Sequence, residues 1–311
     1  MMSCSVPLDV IGIVVSYNPD LGTLEELLNA ILPQVLSVVV VDNGSSVDLL
    51  NWYKDRNNGR VEFIQLGANL GVAAAQNVGI NWARNQGSRY IVLFDQDSMP
   101  DPSMVMQLCM VAEAKVRAGY CVAGVGPNYL DERQNNPPPF IQVRGLCLKR
   151  LSCSCPDSVV EVDYLIASGC LIPMATLAAV GGMQEELFID YVDIEWGLRA
   201  KNLGFQSFGA CAASMRHSLG EPPIEFFGRM LPLHSPLRHY YHFRNAVWLY
   251  RQKRIPTHWK YADAWRLFLK YGFYSLFAKP RLKHLVMMTR GILDGVRGRM
   301  GPSTLDPVEG A

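Results

Sequence analysis

Apolar runs that stop at polar tips dominate the first part of this chain. Asp9 to Tyr17 is nearly all aliphatic and closes at Asn18-Pro19. Val35 to Val41 is a second run, ending in Asp42-Asn43-Gly44-Ser45, and Val61 to Leu66 is a third. Tyr90-Ile-Val-Leu-Phe runs into Asp95-Gln96-Asp97, with Pro100 behind it. Such β-branched runs read as strands buried on both faces, as in parallel sheets. Helical spacing separates them at Leu21 to Leu32, in the Ala-rich stretch opening at Asn69-Leu-Gly71, and from Pro102 to Ala118. This alternation predicts an α/β fold with a mainly parallel sheet flanked by helices.

Further along, a strand is expected over 120–126 and strand character again over 159–172. A helix enters at Asp190 and is ended by Gly204, and a strand pair is expected over 205–215. Residues 130–156, centred on Asn135-Asn-Pro-Pro-Pro139, are expected to be an irregular loop; loops of that length are usually functional or mobile. Tyr164 to Gln184 carries no charge and is long enough to span a bilayer. Gly169, Pro173, Gly181 and Gly182 argue instead for a strand, a turn and a short helix. From Leu233 the pattern turns helical, aromatic and basic. Trp265 to Phe277 sets Arg266 and Lys270 among large apolar side chains, which suits a membrane interface or an amphipathic helix packed on the front domain. The expected division is a catalytic domain over 1–220 and a basic, aromatic-rich helical C-terminal extension over 221–311, in contact with a membrane or an acceptor.

Charge sharpens this picture. The 311 residues carry a net charge of only +1, yet fourteen of the 29 Lys and Arg lie between Arg238 and Arg299, against two acids, Asp263 and Asp294. That footprint suits an anionic phosphate or an anionic membrane surface; nothing points to nucleic acid. The eight Cys show no disulfide framework and no signal peptide opens the chain, so a reduced, cytoplasmic protein is expected. Cys147, Cys153 and Cys155 lack the spacing of a zinc site.

The candidate chemistry sits at the strand tips. Ligands bind outside the carboxyl ends of strands in open α/β sheets, and both acids of Asp95-Gln96-Asp97 can face one side of an extended chain. Hard oxygen ligands there suit Mg²⁺ or Mn²⁺ carrying a phosphate; taken alone, the stretch also reads as an Asp-rich turn. No G-x-G-x-x-G follows the first strand and no GxxxxGK[ST] occurs, which argues against dinucleotide oxidoreductase and P-loop chemistry. Arg238, Tyr241, Arg244 and Asn245 share a helical face, and Arg244 is the expected contact for a phosphate of the donor or of a lipid-linked acceptor, with a solvated basic helix as the alternative.

Together, Ser16-Tyr17-Asn18, the Val41 to Ser45 turn, Asn69-Leu-Gly71 with Asn77, Asp95-Gln96-Asp97 and the acidic helix from Asp190 to Arg199 resemble family-2 inverting glycosyltransferases of the A-type fold, over residues 9–220. Phe94-Asp-Gln-Asp-Ser98 and Phe188-Ile-Asp-Tyr-Val-Asp-Ile-Glu-Trp196 resemble the rhamnosyltransferase branch, which uses dTDP-L-rhamnose. The resemblance implies that Tyr17 and Asp42 contact the nucleotide base, and that Asn18, Asn43, Gly44, Asn69, Gly71 and Asn77 shape the nucleotide-sugar pocket. Asp95, with Gln96, would sit near the ribose, Asp97 and His217 would bind Mg²⁺ or Mn²⁺, and Asp193 would be the catalytic base. Val192 stands where many relatives carry an acid before that base, so Asp190 and Glu195 stay open as partners in the role. The helix dipole would depress the pKa of Asp193, and desolvation by Phe188, Tyr191 and Trp196 would oppose it.

The expected activity is transfer of L-rhamnose to a glycan or lipid-linked glycan in cell-surface polysaccharide synthesis, on the cytoplasmic face of the inner membrane. UDP-galactofuranose or a UDP-hexose are alternative donors. A sugar-phosphate nucleotidyltransferase would need a Gly-rich basic loop that Ser16 to Asp20 lacks, and a non-catalytic saccharide-binding module would not need Asp97, His217 and Asp193 together.

Overall fold

The computed structural model describes residues 9–54, 59–130, 140–145, 147–216, 224–226, 229–231 and 234–303. Strand β1 (Val10–Ser16) leads into helix α1 (Leu21–Ile31), capped by Asp20, whose carboxylate accepts from Thr23 N at 2.8 Å. β2 (Ser37–Asp42), the short α2 (Leu49–Tyr53), β3 (Val61–Gln65) and α3 (Val72–Asn85) follow. β4 (Tyr90–Asp95), β5 (Met99–Pro100), α4 (Met104–Arg117) and β6 (Val122–Leu130) complete the first half.

The second half departs from expectation in two places. Part of the expected irregular loop is a hairpin of β7 (Phe140–Arg144) and β8 (Cys147–Leu151). β9 (Val159–Val162), β10 (Leu171–Pro173), α5 (Met174–Val180) and α6 (Val192–Asn202) come next. The expected strand pair over 205–215 is one long strand, β11 (Gln206–Arg216), whose register against β6 shifts between Ala210 and Ser214. A bulge of this kind bends a strand without ending it. The small ribbon β12 (Ile224–Phe226) and β13 (Arg229–Leu231) precedes helices α7 (Pro236–Arg251), α8 (Thr257–Phe277) and α9 (Arg281–Arg297).

The main sheet runs β3-β2-β1-β4-β10-β6-β11-β5, with β9 also on β11. β3, β2, β1 and β4 are parallel, as expected, but β10 is antiparallel to both neighbours and makes the sheet mixed. Alternation along each strand splits the core. Ile11, Ile13, Ile91 and Leu93 enter the layer under α3 and α6, while Val10, Val14, Val92 and Phe94 enter the layer under α1 and α4. The first layer is continuous with Phe243, Leu249 and Trp259 of α7 and α8, so the C-terminal helices share the core of the sheet. Close packing of α9 on α7 rests on Gly291 and Gly295, where an added Cβ would lie 2.4 Å from Tyr240 O and 2.5 Å from Arg244 O.

Cys153 is bonded to Cys211, 58 residues away. This corrects the expectation that no cysteines pair. The antiparallel pairing of β9 with β11 carries Cys211 beside the 153–158 segment, where its N–H donates to Ser158 O at 3.1 Å. The cysteine pattern therefore gives no argument for a reducing compartment. Among the described residues, no helix is long and apolar enough to cross a membrane.

Candidate active site

In the parallel half of the sheet, register aligns the carboxyl ends of three strands. Ser16 pairs with Asp42, and Val15 pairs with Asp95, so the tips of β1, β2 and β4 lie side by side. They floor a cleft of about 720 Å³. Tyr17, Asn43, Asn69, Gly71, Asp95, Gln96, Asp97 and Asp193 all line it.

Hydrogen bonds set each wall. Gln96 ties two tips together: its Oε1 accepts from Tyr17 N at 2.7 Å and its Nε2 donates to Tyr17 O at 3.2 Å. Asn43 Nδ2 donates to Asn69 Oδ1 at 2.9 Å, while Asn43 Oδ1 accepts from Leu70 N at 2.8 Å. Asn69 Oδ1 also accepts from Gly71 N at 3.0 Å, which fixes the entry to α3. The hydroxyls of Ser98 and Ser168 are hydrogen-bonded, and Asp95 N donates to Ser168 Oγ at 3.3 Å. These bonds orient the acidic tip from below.

Other expected residues stand behind the walls. Asp42 is buried and accepts from Ser45 N at 3.0 Å, shaping the turn rather than lining the cleft. Asn18, at φ 45°, accepts from Ser46 N at 2.9 Å. Gly44, at φ 86°, leaves room for the 68–69 backbone, since an added Cβ would lie 2.5 Å from Ala68 C. Asn77 pins the turn before the 188–193 segment: Oδ1 accepts from Met183 N at 2.7 Å and Nδ2 donates to Met183 O and Glu185 Oε1. His217 lies outside the described residues.

The segment from Phe188 to Asp193 forms the opposite wall, and its backbone is strained. Phe188, Asp190 and Tyr191 have φ of 67°, 63° and 64°, a region costly for side chains with a Cβ. Helix α7 collects the carbonyls this conformation exposes. Asn245 Nδ2 donates to Leu187 O, Ile189 O and Asp190 O at 2.9, 2.7 and 3.0 Å. Arg244 Nη2 donates to Leu187 O at 3.0 Å and its Nη1 bonds Gly301 O. Arg244 is buried, stacked against Tyr240 and Tyr241. Its donors hold the backbone under the 186–190 segment, and it is not among the residues that line the cleft. Arg238, on the same helix, lines the cleft in its place and pairs with Asp190 at 3.2 Å, beside His242.

Asp193 opens α6 and faces the cleft. Desolvation raises its pKa to about 6, against the lowering effect of the Ile194 N–H that donates to Oδ1 at 2.8 Å; Asp95 and Asp190 add to the rise. An apolar cavity of about 20 Å³, lined in part by Leu93, Cys170, Met183 and Trp196, borders it. Desolvation outweighs the backbone hydrogen bonds at the start of α6, and Trp196 lines the apolar cavity rather than the cleft. Glu195, two residues on, is fully buried and takes Arg199 and Arg254, each at 3.0 Å. It does not line the cleft. Ser168, Arg238 and His242 were missed as cleft residues. Only Arg238 had a signal in the sequence, its place on the helical face shared with Arg244.

Residues 13–156 match the family described as Glycosyl transferase family 2. Over 295 residues the chain is 30% identical to the dTDP-rhamnosyl transferase RfbF of Shigella flexneri, covering 94% of this chain and 97% of that protein. S. aureus TarS 1–349 in complex with UDP-GlcNAc is similar in structure at a TM-score of 0.58 and 19% identity, over 93% of this chain and 81% of that one. GalNAc-T7 with UDP, GalNAc and Mn²⁺ is similar at a TM-score of 0.58 and 11% identity; the match takes 93% of this chain but spans 56% of that one. At such identities the two structures speak for the fold alone.

Proposed function

This chain belongs to glycosyltransferase family 2 and has the A-type fold, and on that premise we propose that it transfers L-rhamnose from dTDP-L-rhamnose to a hydroxyl of a glycan or lipid-linked glycan, with inversion. The donor is supported by the S. flexneri relative, a dTDP-rhamnosyl transferase aligned over nearly all of both chains. The observation that carries the reaction is that Asp193 shares one cleft with the Asp95-Gln96-Asp97 tip.

A single displacement follows from that arrangement. The acceptor hydroxyl attacks the anomeric carbon as Asp193 takes its proton, and the C–O bond to dTDP breaks on the opposite face. A base with a pKa of about 6 is ionised at neutral pH and still basic enough to share a proton in the transition state. Tyr17, Asn43 and Asn69 line the side of the cleft suited to the nucleotide. Arg238 holds Asp190 close to the base, adding negative potential that favours the proton on Asp193.

The residues present fit a hard divalent cation. No group of three His, Cys, Asp or Glu gathers among the described residues, but Mg²⁺ is commonly held by one or two carboxylates, with water and substrate phosphates completing its shell. Asp97 would hold it, with His217, outside the described residues, as the expected second ligand, and such an ion would neutralise charge on a departing diphosphate.

Two measurements test the reading. Asp193→Asn should lower transfer by about 10²–10⁴-fold while leaving donor affinity nearly unchanged; near-normal turnover would move the base elsewhere. Melting temperature should rise with dTDP-L-rhamnose and Mn²⁺; a rise with UDP-sugars alone would overturn the donor.

A further inference from the structure

Helices α8 and α9 bury one apolar stripe, with Trp259, Leu267 and Tyr274 on α8 and Met288 on α9, and expose a second. A helix on a water-soluble protein turns its apolar stripe to the core and its charges to solvent. On α8 the inward side carries Asp263, which accepts from Tyr191 and Tyr250, and Lys270, which contacts His242 Nε2 at 3.0 Å. The outward side carries Trp265 and Phe268, 62% and 66% exposed, with Leu269 and Leu276. On α9 the inward side carries His284 and Asp294, while Leu282, 72% exposed, Val286, Leu293 and Val296 point outward. Their spacings of four, seven and three residues place them on one helical face.

Charge at the rim has one sign. Arg266, Lys279, Arg281, Lys283, Arg290 and Arg297 are exposed, and the only carboxylates between 257 and 299, Asp263 and Asp294, are buried. A second copy of this chain is a poor occupant of such a face. Two-fold pairing lays a patch against itself, so cations would meet cations across the seam. A bilayer with anionic headgroups complements both features: acyl chains take the aromatic and aliphatic side chains, and lipid phosphates take the cations. Neither helix is long and apolar enough to cross, so the contact lies in the interfacial plane.

We propose that the outward faces of α8 and α9 form a docking surface for an anionic phospholipid bilayer. This goes beyond the glycosyl transfer proposed above and does not depend on which sugar is moved. None of its outward side chains lines the cleft, so the two can be broken separately.

The test is co-sedimentation of the full chain with phosphatidylglycerol-containing vesicles and with phosphatidylcholine vesicles, beside transfer assays on a short water-soluble acceptor. The wild type should sediment with the anionic vesicles only, and less so at high salt. Trp265→Glu with Phe268→Glu should weaken vesicle binding by at least about tenfold and leave transfer to the soluble acceptor unchanged. Arg281→Glu with Lys283→Glu, which leaves the apolar stripe intact, should do the same, so the proposal does not hang on one variant folding. Absence of binding to anionic vesicles at low salt would overturn the proposal, as would full binding by both double variants. A concentration-dependent dimer abolished by Trp265→Glu would overturn it in favour of self-association. Loss of transfer with vesicle binding intact would count against the glycosyltransferase assignment alone.

Discussion

Replacing Asn245 by Ala should cost turnover far more than donor affinity. The Asn245 amide is fully buried and is the shared donor for the carbonyls of Leu187, Ile189 and Asp190. The amide has two N–H groups to share among them, and each such bond contributes about 0.5–1.5 kcal/mol net, so losing them removes roughly 1–3 kcal/mol. That is comparable to the strain the bonds oppose, since each left-handed residue at Phe188, Asp190 and Tyr191 costs on the order of 1–3 kcal/mol. The segment should therefore relax toward ordinary backbone angles and take the start of α6, with Asp193, out of line. Misplacing a reacting group by about 1 Å costs about 10²-fold. Steady-state kinetics should show kcat down by about that factor. Donor affinity from calorimetry should change by no more than about threefold, because Tyr17, Asn43 and Asn69 are held by bonds Asn245 does not touch. A variant with a lowered melting temperature but unchanged kcat would refute the reasoning, leaving Asn245 a purely stabilising residue.

Two further outcomes follow from the same wall. The acid limb of kcat/KM should fall as pH drops below about 6, where Asp193 gains its proton. Because its folded pKa is raised from 3.8, the ionised group opposes folding at higher pH; Asp193→Asn should be more stable than wild type above pH 6, by at most about 3 kcal/mol, and the advantage should vanish below 3.8 in denaturant titrations at stepped pH. Gly71→Ala forces a Cβ within 2.6 Å of the Phe188 ring at φ 90°, so kcat should drop with the melting temperature; unchanged kinetics would show that Phe188 yields freely.

What could be read from the sequence followed short-range rules. The tips of β1, β2 and β4 were legible because an aliphatic run ending in Asp or Asn has few other uses, and eight of the expected site residues meet in one cleft. Direction around a helix was not legible. Arg238 and Arg244 share a face in pattern, yet rotation of α7 sends one into the cleft and the other beneath the Glu186 to Asp190 backbone. Asp193 and Glu195 differ in the same way: two residues on a helix are far apart in azimuth, and Glu195 turns to Arg199 and Arg254. The Cys153–Cys211 bond and the β7–β8 hairpin depend on pairings that local pattern does not encode.

The C-terminal helices bear on the chemistry through these backbone contacts. Asp193 has a pKa near 6 because burial desolvates it, and the strained carbonyls packed behind it are largely buried as well. The donors must then come from protein. Asn245 and Arg244 supply them from α7, and Gly301 N adds one more to Glu186 O at 2.8 Å. A catalytic unit cut at residue 220 would lose all three, together with the Tyr250 hydroxyl that shares Asp263 with Tyr191. The buried Asp263 and Asp294 serve the same packing: Asp263 accepts from Tyr191 and Tyr250, and Asp294 from Tyr240. With the carboxylates drawn inward to organise the site, the exposed side of α8 and α9 is left to apolar and cationic residues.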